Sequence, residues 1–135
     1  ELNVHAAFMI NPDFEAGDFL AVQRAVPEMA PAEFAFTVYS PPPGTAEFEA
    51  SRERFICPDP CAFYDCLHTI LPVRLPLKRV YRYLTILYGM GAARMPARVN
   101  GARVPWRDQL RFLSEGARFA WRLLRMYREY DRRYW

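Results

Sequence analysis

Residues Val104–Trp135 read VPWRDQLRFLSEGARFAWRLLRMYREYDRRYW, and their spacing decides the fold class. Pro105 suits the first turn of a helix, where a missing N–H costs nothing and φ is already helical. Beyond it the stretch holds no proline and a single glycine, Gly116. At 100° per residue, Trp106, Leu110, Leu113, Ala117, Ala120, Trp121, Leu124 and Tyr127 cluster about one direction. Phe112, Phe119, Leu123 and Tyr130 widen that face on one flank. Arg107, Arg111, Arg118, Arg122, Arg125 and Arg132 gather on the other side. A continuous helix of this length would run roughly 45 Å, longer than a core of 135 residues requires. The pattern therefore predicts a surface made for a partner.

Outward from that helix, the composition supports a folded domain. Hydrophobic residues make up 52% of the chain and aromatics 16%, which argues against intrinsic disorder. The length fits one domain, 1–135. No apolar run approaches the roughly 18 residues of a membrane span; Pro72, Arg74 and Pro76 break the longest candidates. The first residue is Glu, consistent with removal of a presequence or with trimming of the chain. Three cysteines, an odd number in a hydrophobic chain, suggest a reducing compartment rather than a disulfide scaffold.

The net charge of +3 conceals a division. Glu1 to His68 carries 11 acidic residues and three basic ones, for −8, whereas Thr69 to Trp135 carries 15 basic and four acidic, for +11. Such halves attract one another or face different partners. Lys78 is the only lysine among 18 basic residues. Arginine suits phosphate, carboxylate and aromatic contacts, although a GC-rich coding sequence yields the same bias.

The rest of the chain reads as short elements punctuated by proline. Leu2–Ile10 is an edge strand or extended arm. Asn11-Pro12-Asp13 signals a helix start, with a helix to about Ala25 ended by Pro27. Glu33 to Tyr39 alternates with period two and is expected to be extended, its pairing strand lying in another chain. Pro41-Pro42-Pro43-Gly44 reads as a stiff connector. Thr45 caps a helix over 46–56, and Asp59 and Pro60 open another through Leu71. A further helix spans Leu77 to Tyr88, with Val80, Tyr81, Leu84 and Leu87 inward and Gly89 and Gly91 as the stop. A basic loop with a turn at Asn100-Gly101 precedes the last helix. The expected fold is mostly α: four to five helices, a Pro-rich extended amino-terminal half with one short helix over 1–44, a helical part over 45–135, and the long carboxy-terminal helix.

Motifs for chemistry are absent. Cys57, Cys61, Cys66 and His68 lack the paired spacing of zinc knuckles, and Cys61 and Cys66 would point to different faces of a helix. Cys57 and Cys66 have eight residues between them, where twin-cysteine helical hairpins need nine. Small apolar packing is the expected role of these thiols, with a Cys57–Cys61 or Cys57–Cys66 disulfide as the alternative. Cys66 and His68, two apart on a helix, would diverge rather than form a nucleophile–base pair. No P-loop, G-x-S-x-G, G-x-G-x-x-G or H-E-x-x-H occurs. Neither Val80-Tyr81-Arg82 nor Met126-Tyr127-Arg128 has the leucine of the LYR motif, so no family is assigned on them.

The expectation is thus a non-catalytic structural or accessory subunit of a multiprotein assembly, with no cofactor, no metal and no span of its own. Its partner-binding apolar face is Trp106, Leu110, Leu113, Trp121, Leu124 and Tyr127. Its basic face is Arg107, Arg111, Arg118, Arg122, Arg125 and Arg132, set to meet acidic protein, phosphate or anionic lipid headgroups. A mitochondrial inner-membrane complex is the setting this style suggests. An RNA-contacting protein such as an organellar ribosome component is the alternative, distinguished by steep salt dependence; a stand-alone adaptor that binds a partner helix is a third reading.

Overall fold

The computed structural model describes residues 5–29, 33–57, 59–92, 98–99 and 102–130. Among them the chain is mostly helical, with four α-helices and two two-stranded sheets. It opens as a β-α-β unit: β1 (His5–Ile10), α1 (Ala16–Met29) and β2 (Glu33–Val38). The strands pair in parallel, His5 opposite Glu33 through Ile10 opposite Val38. The partner of Glu33–Val38 therefore lies in the same chain, not in another. A parallel pair needs a crossover rather than a tight turn, and α1 supplies it.

α1 starts at Ala16 because Asn11 closes a turn of its own, its Oδ1 accepting from the Asp13 amide at 2.9 Å. The Asp18 carboxylate then accepts from the Glu15 amide at 2.7 Å, the reverse half of a capping box. The helix passes Pro27 and ends at Met29. Phe19 and Val26 are its buried positions, seven residues apart on one side.

Ile10, Phe36 and Val38 fill one face of the sheet, with Phe8 and Phe34 partly buried beside them. α1 and α3 (Leu77–Ala92) cover that face. The Phe19 ring stacks on Tyr83 at 4.6 Å, and Phe36 meets Tyr88 edge-on at 5.6 Å. The inward set expected for α3, Val80, Tyr81, Leu84 and Leu87, is buried in full. The helix runs on past Gly89, so that glycine is not its stop.

The segment that links β2 to α3 forms a smaller core of its own, of Phe48, Cys57, Ile70 and Leu71. The proline run does not stay extended. Thr45 donates its amide to the Pro42 carbonyl at 3.2 Å, and Gly44 takes φ +82°, the positive value that a type II turn needs after Pro43. Thr45 then caps α2 (Ala46–Ala50), accepting from the Phe48 amide, and a 3₁₀ turn follows at Arg52–Arg54. The helix expected through Leu71 does not form. Asp65 draws the Leu67 and His68 amides to its own carboxylate at 2.9 and 2.8 Å, and Cys66 sits at φ +64°. Both are alternatives to helical backbone.

β3 (Arg98–Val99) and β4 (Ala102–Arg103) pair antiparallel on either side of the Asn100-Gly101 signal. α4 (Trp106–Arg125) closes the chain with a 3₁₀ turn at Met126–Glu129. Pro105 is extended and precedes the helix rather than opening its first turn. Twenty residues make about 30 Å of helix, not 45 Å; residues 131–135, with Arg132, lie outside the described part.

Candidate interaction surface on the last helix

α4 presents three adjacent strips. The strip that packs on this chain holds Gln109, Gly116, Ala120 and the buried Leu123, close to the flank of the apolar arc rather than its centre. Small side chains at 116 and 120 let the neighbouring helix approach, and Phe119 meets Tyr88 of α3 at 5.0 Å. At Met126 the helix tightens: its amide bonds to the Leu123 carbonyl, three residues back. Three residues per turn keep Met126 on the same side as Leu123, and both are buried.

The second strip is the centre of the apolar arc. Trp106 is 65% exposed, Leu110 55%, Leu113 53%, Trp121 59% and Leu124 36%. Tyr127 alone of the six expected face residues is half-buried against the core. From Trp106 to Leu124 the strip spans about 27 Å of helix. Nothing else in the described chain covers it.

The third strip is basic. Arg107, Arg111, Arg118, Arg122 and Arg125 are all exposed. Arg111 holds Glu115 one turn on, at 2.9 Å, and that carboxylate raises its pKa. Two arginines lean across to the tryptophans: the Arg125 guanidinium lies 4.6 Å from the centre of the Trp121 ring, and Arg107 lies 5.6 Å from that of Trp106. The indoles are thus held by cations on one side and open on the other.

A buried polar node ties the end of α4 to the loop before α3. His68 is almost fully buried, with Nδ1 2.8 Å from Asp65 and Nε2 3.1 Å from Glu129. Burial disfavours the imidazolium, but the two carboxylates outweigh it and raise its pKa. For Asp65, burial pushes the other way, yet the His68 ring and the amides of His68 and Leu67 bring its carboxyl down to about 2. Beside the imidazole, the Tyr130 hydroxyl donates to the Thr69 carbonyl at 2.8 Å and lies 2.8 Å from the Tyr81 hydroxyl. Burial raises the pKa of both phenols. The sequence reading set His68 beside the three cysteines as a metal ligand and beside Cys66 as a base. The Asp65-x-x-His68 spacing was the local signal for this node, while Glu129 is 61 residues away and carried none.

The three cysteines are separate and free: Cys57 buried, Cys61 and Cys66 exposed. Burial, helped by Asp59, pushes the Cys57 thiol up to about 11. No three metal-ligating side chains converge among the described residues. A shallow concavity of about 420 Å³ beside Cys57 and Cys61 is lined by Phe48, Arg52, Phe55 and Pro60, and Arg52 is already paired with Glu49. No described helix is long and apolar enough to cross a membrane. Comparison of the chain with protein-family models, curated proteins and solved structures finds no match.

Proposed function

We propose that this chain is a non-catalytic subunit of a larger multiprotein assembly, docked through the open apolar strip of α4. The observation that carries the reading is the exposure of Trp106, Leu110, Leu113, Trp121 and Leu124 on one helix whose other flank is packed. Contiguous apolar surface of this kind is characteristic of docking sites. Tryptophan and arginine are also the residues on which protein interfaces most often depend. The arginine strip is then the rim of the interface, where it meets acidic side chains and excludes water.

Native mass spectrometry of the protein isolated gently from its source, across a salt titration, tests this. Companions retained at high salt support a subunit held by apolar area. A free monomer at low salt overturns it in favour of an adaptor. Companions that include RNA and fall away steeply with salt overturn it in favour of RNA binding, because counterion release drives such complexes. A Leu113→Ser, Trp121→Ser double variant should fold as before and leave the assembly.

A further inference from the structure

The apolar residues of α4 keep a stricter spacing than one face of a helix requires. From Trp106 they recur at intervals of four and three in turn: Leu110, Leu113, Ala117, Ala120, Leu124 and Tyr127. A repeat of about 3.5 residues is the seam of helices packed side by side, narrower than the face a helix lays on a broad core. One flank of this seam, Gln109, Gly116 and Leu123, is the strip packed on the chain itself. The other flank, Arg107, Ser114, Trp121 and Arg128, is exposed.

α3 stands against the packed flank and runs antiparallel to α4. Tyr88 meets Phe119 at 5.0 Å, and Tyr81 meets Tyr130 through their hydroxyls. Lys78 lies near Tyr127, whose phenol is held below its ordinary pKa by Arg128 first, and also by Lys78 and Arg125. Arg82 follows Lys78 by one turn, and both are exposed. The open seam thus has cations on either side, Lys78 and Arg82 of α3 on one, and Arg107, Arg118 and Arg125 of α4 on the other. The acids within these two helices, Asp108 and Glu115, lie on the opposite side of α4 from Trp106 and Leu124.

We infer that the occupant of the α4 strip is an amphipathic α-helix of another subunit, nested between α4 and the Lys78–Arg82 edge of α3, with aspartate or glutamate on both of its flanks. It rests on the reading that α4 docks through this strip, and names the partner. About 18 residues of such a helix match the strip from Trp106 to Leu124. A second copy of this chain would set cation against cation along both rims, a costly juxtaposition. A bilayer is flat and would meet α3 as well, which turns Lys78, Arg79 and Arg82 outward.

Charge reversal, read as the yield of the chain in the assembly isolated from its source, tests it. Arg118→Glu with Arg125→Glu alters one rim, and Lys78→Glu with Arg82→Glu the other. All four side chains are exposed, so each pair should keep the helical circular dichroism of the chain. Each pair should lower the yield at least about tenfold, whereas Arg118→Lys with Arg125→Lys should leave it unchanged. Lys78 is the only lysine, so a zero-length carbodiimide applied to the wild-type assembly joins its amine to a neighbouring carboxylate at a known point. The joined peptide of the partner should carry apolar residues at intervals of three and four. Wild-type yield of either reversed pair, while Leu113→Ser with Trp121→Ser leaves the assembly, overturns the inference and keeps the docking reading. Wild-type yield of all three variants overturns both. A Lys78 link to a partner peptide without that spacing, or to this chain alone, overturns the inference as well. Release of the chain by nuclease overturns it in favour of RNA, and release on removal of lipid, with the protein partners intact, in favour of a membrane surface. A dimer of the chain alone that Leu113→Ser with Trp121→Ser abolishes overturns it in favour of a second copy.

Discussion

The Nε2 of His68 lies 3.1 Å from the Glu129 carboxylate and so joins the loop before α3 to the turn that ends α4. With Asp65 on Nδ1, both ring nitrogens face acceptors, and the doubly protonated imidazolium is the form that satisfies both.

The pH dependence of stability follows from this node. The folded pKa of His68 is raised above its ordinary value of 6.5, against burial, by Asp65 and Glu129. Its contribution is complete below about pH 6.5, the unfolded value, and is lost as pH climbs through the folded one. Asp65, lowered to about 2, contributes above its unfolded value near 4 and loses that as pH falls through 2. The node is therefore strongest between about pH 4 and 6.5. Thermal melts of the wild type should shift downward between pH 5.5 and 8, and Glu129→Gln should flatten that shift. Parallel curves for the two proteins would exclude the node as the cause.

Substitutions along α4 should separate its strips. Leu123 is buried to 1% exposure, so Leu123→Ala should cost about 2–5 kcal/mol in denaturant unfolding of the chain alone. Leu113, 53% exposed, should tolerate the same change within about 0.5 kcal/mol. The Leu113 loss should appear instead in the assembly. A cost above 2 kcal/mol at Leu113 in the chain alone would place that side chain in the core.

Helical spacing was legible where one face alone meets the core. The burial of Val80, Tyr81, Leu84 and Leu87 and the Thr45 cap could be read residue by residue. α4 was legible as a helix but not in its orientation, because its apolar arc is wider than the strip it buries, and Gly116 and Ala120 mark that strip by small size rather than hydrophobicity. The β1–β2 pairing was hidden because the strands are separated by α1, whose Gly17 and Pro27 weaken its helical signal. The stretch through Leu71 has helical spacing in Phe63, Leu67 and Ile70, but Asp65 takes local amides and Cys66 turns left-handed, and period alone does not report either. The net charges of the two halves hinted at attraction of the kind that pairs Glu15 with Arg74 at 2.7 Å. The His68–Glu129 contact sets a cation of the acidic half against an anion of the basic half, and so was not legible from them.

The thiols should react at two rates. Cys61 and Cys66 are exposed, and Cys57 is buried with its thiol raised to about 11. At pH 7.5 less than about one part in a thousand of Cys57 is thiolate, the reactive form. A colorimetric disulfide reagent should titrate two thiols rapidly and the third only in denaturant. Three equivalents at a single rate would show that the Phe48–Cys57–Ile70 core opens readily.

The tyrosine pair should respond unequally to loss of a hydroxyl. Tyr130 donates to the Thr69 carbonyl, so in its 2.8 Å contact with Tyr81 it accepts. Tyr130→Phe leaves the Tyr81 hydroxyl and the carbonyl of the fully buried Thr69 without that partner, a loss of about 1–3 kcal/mol. Tyr81→Phe removes a donor but leaves the bond from Tyr130 to Thr69 intact, and should cost about 1 kcal/mol or less. Denaturant midpoints of the two variants give the order directly. The reverse order would mean that Tyr81 is the residue on which the Thr69 carbonyl depends, and that Tyr130 joins the contact only as its acceptor.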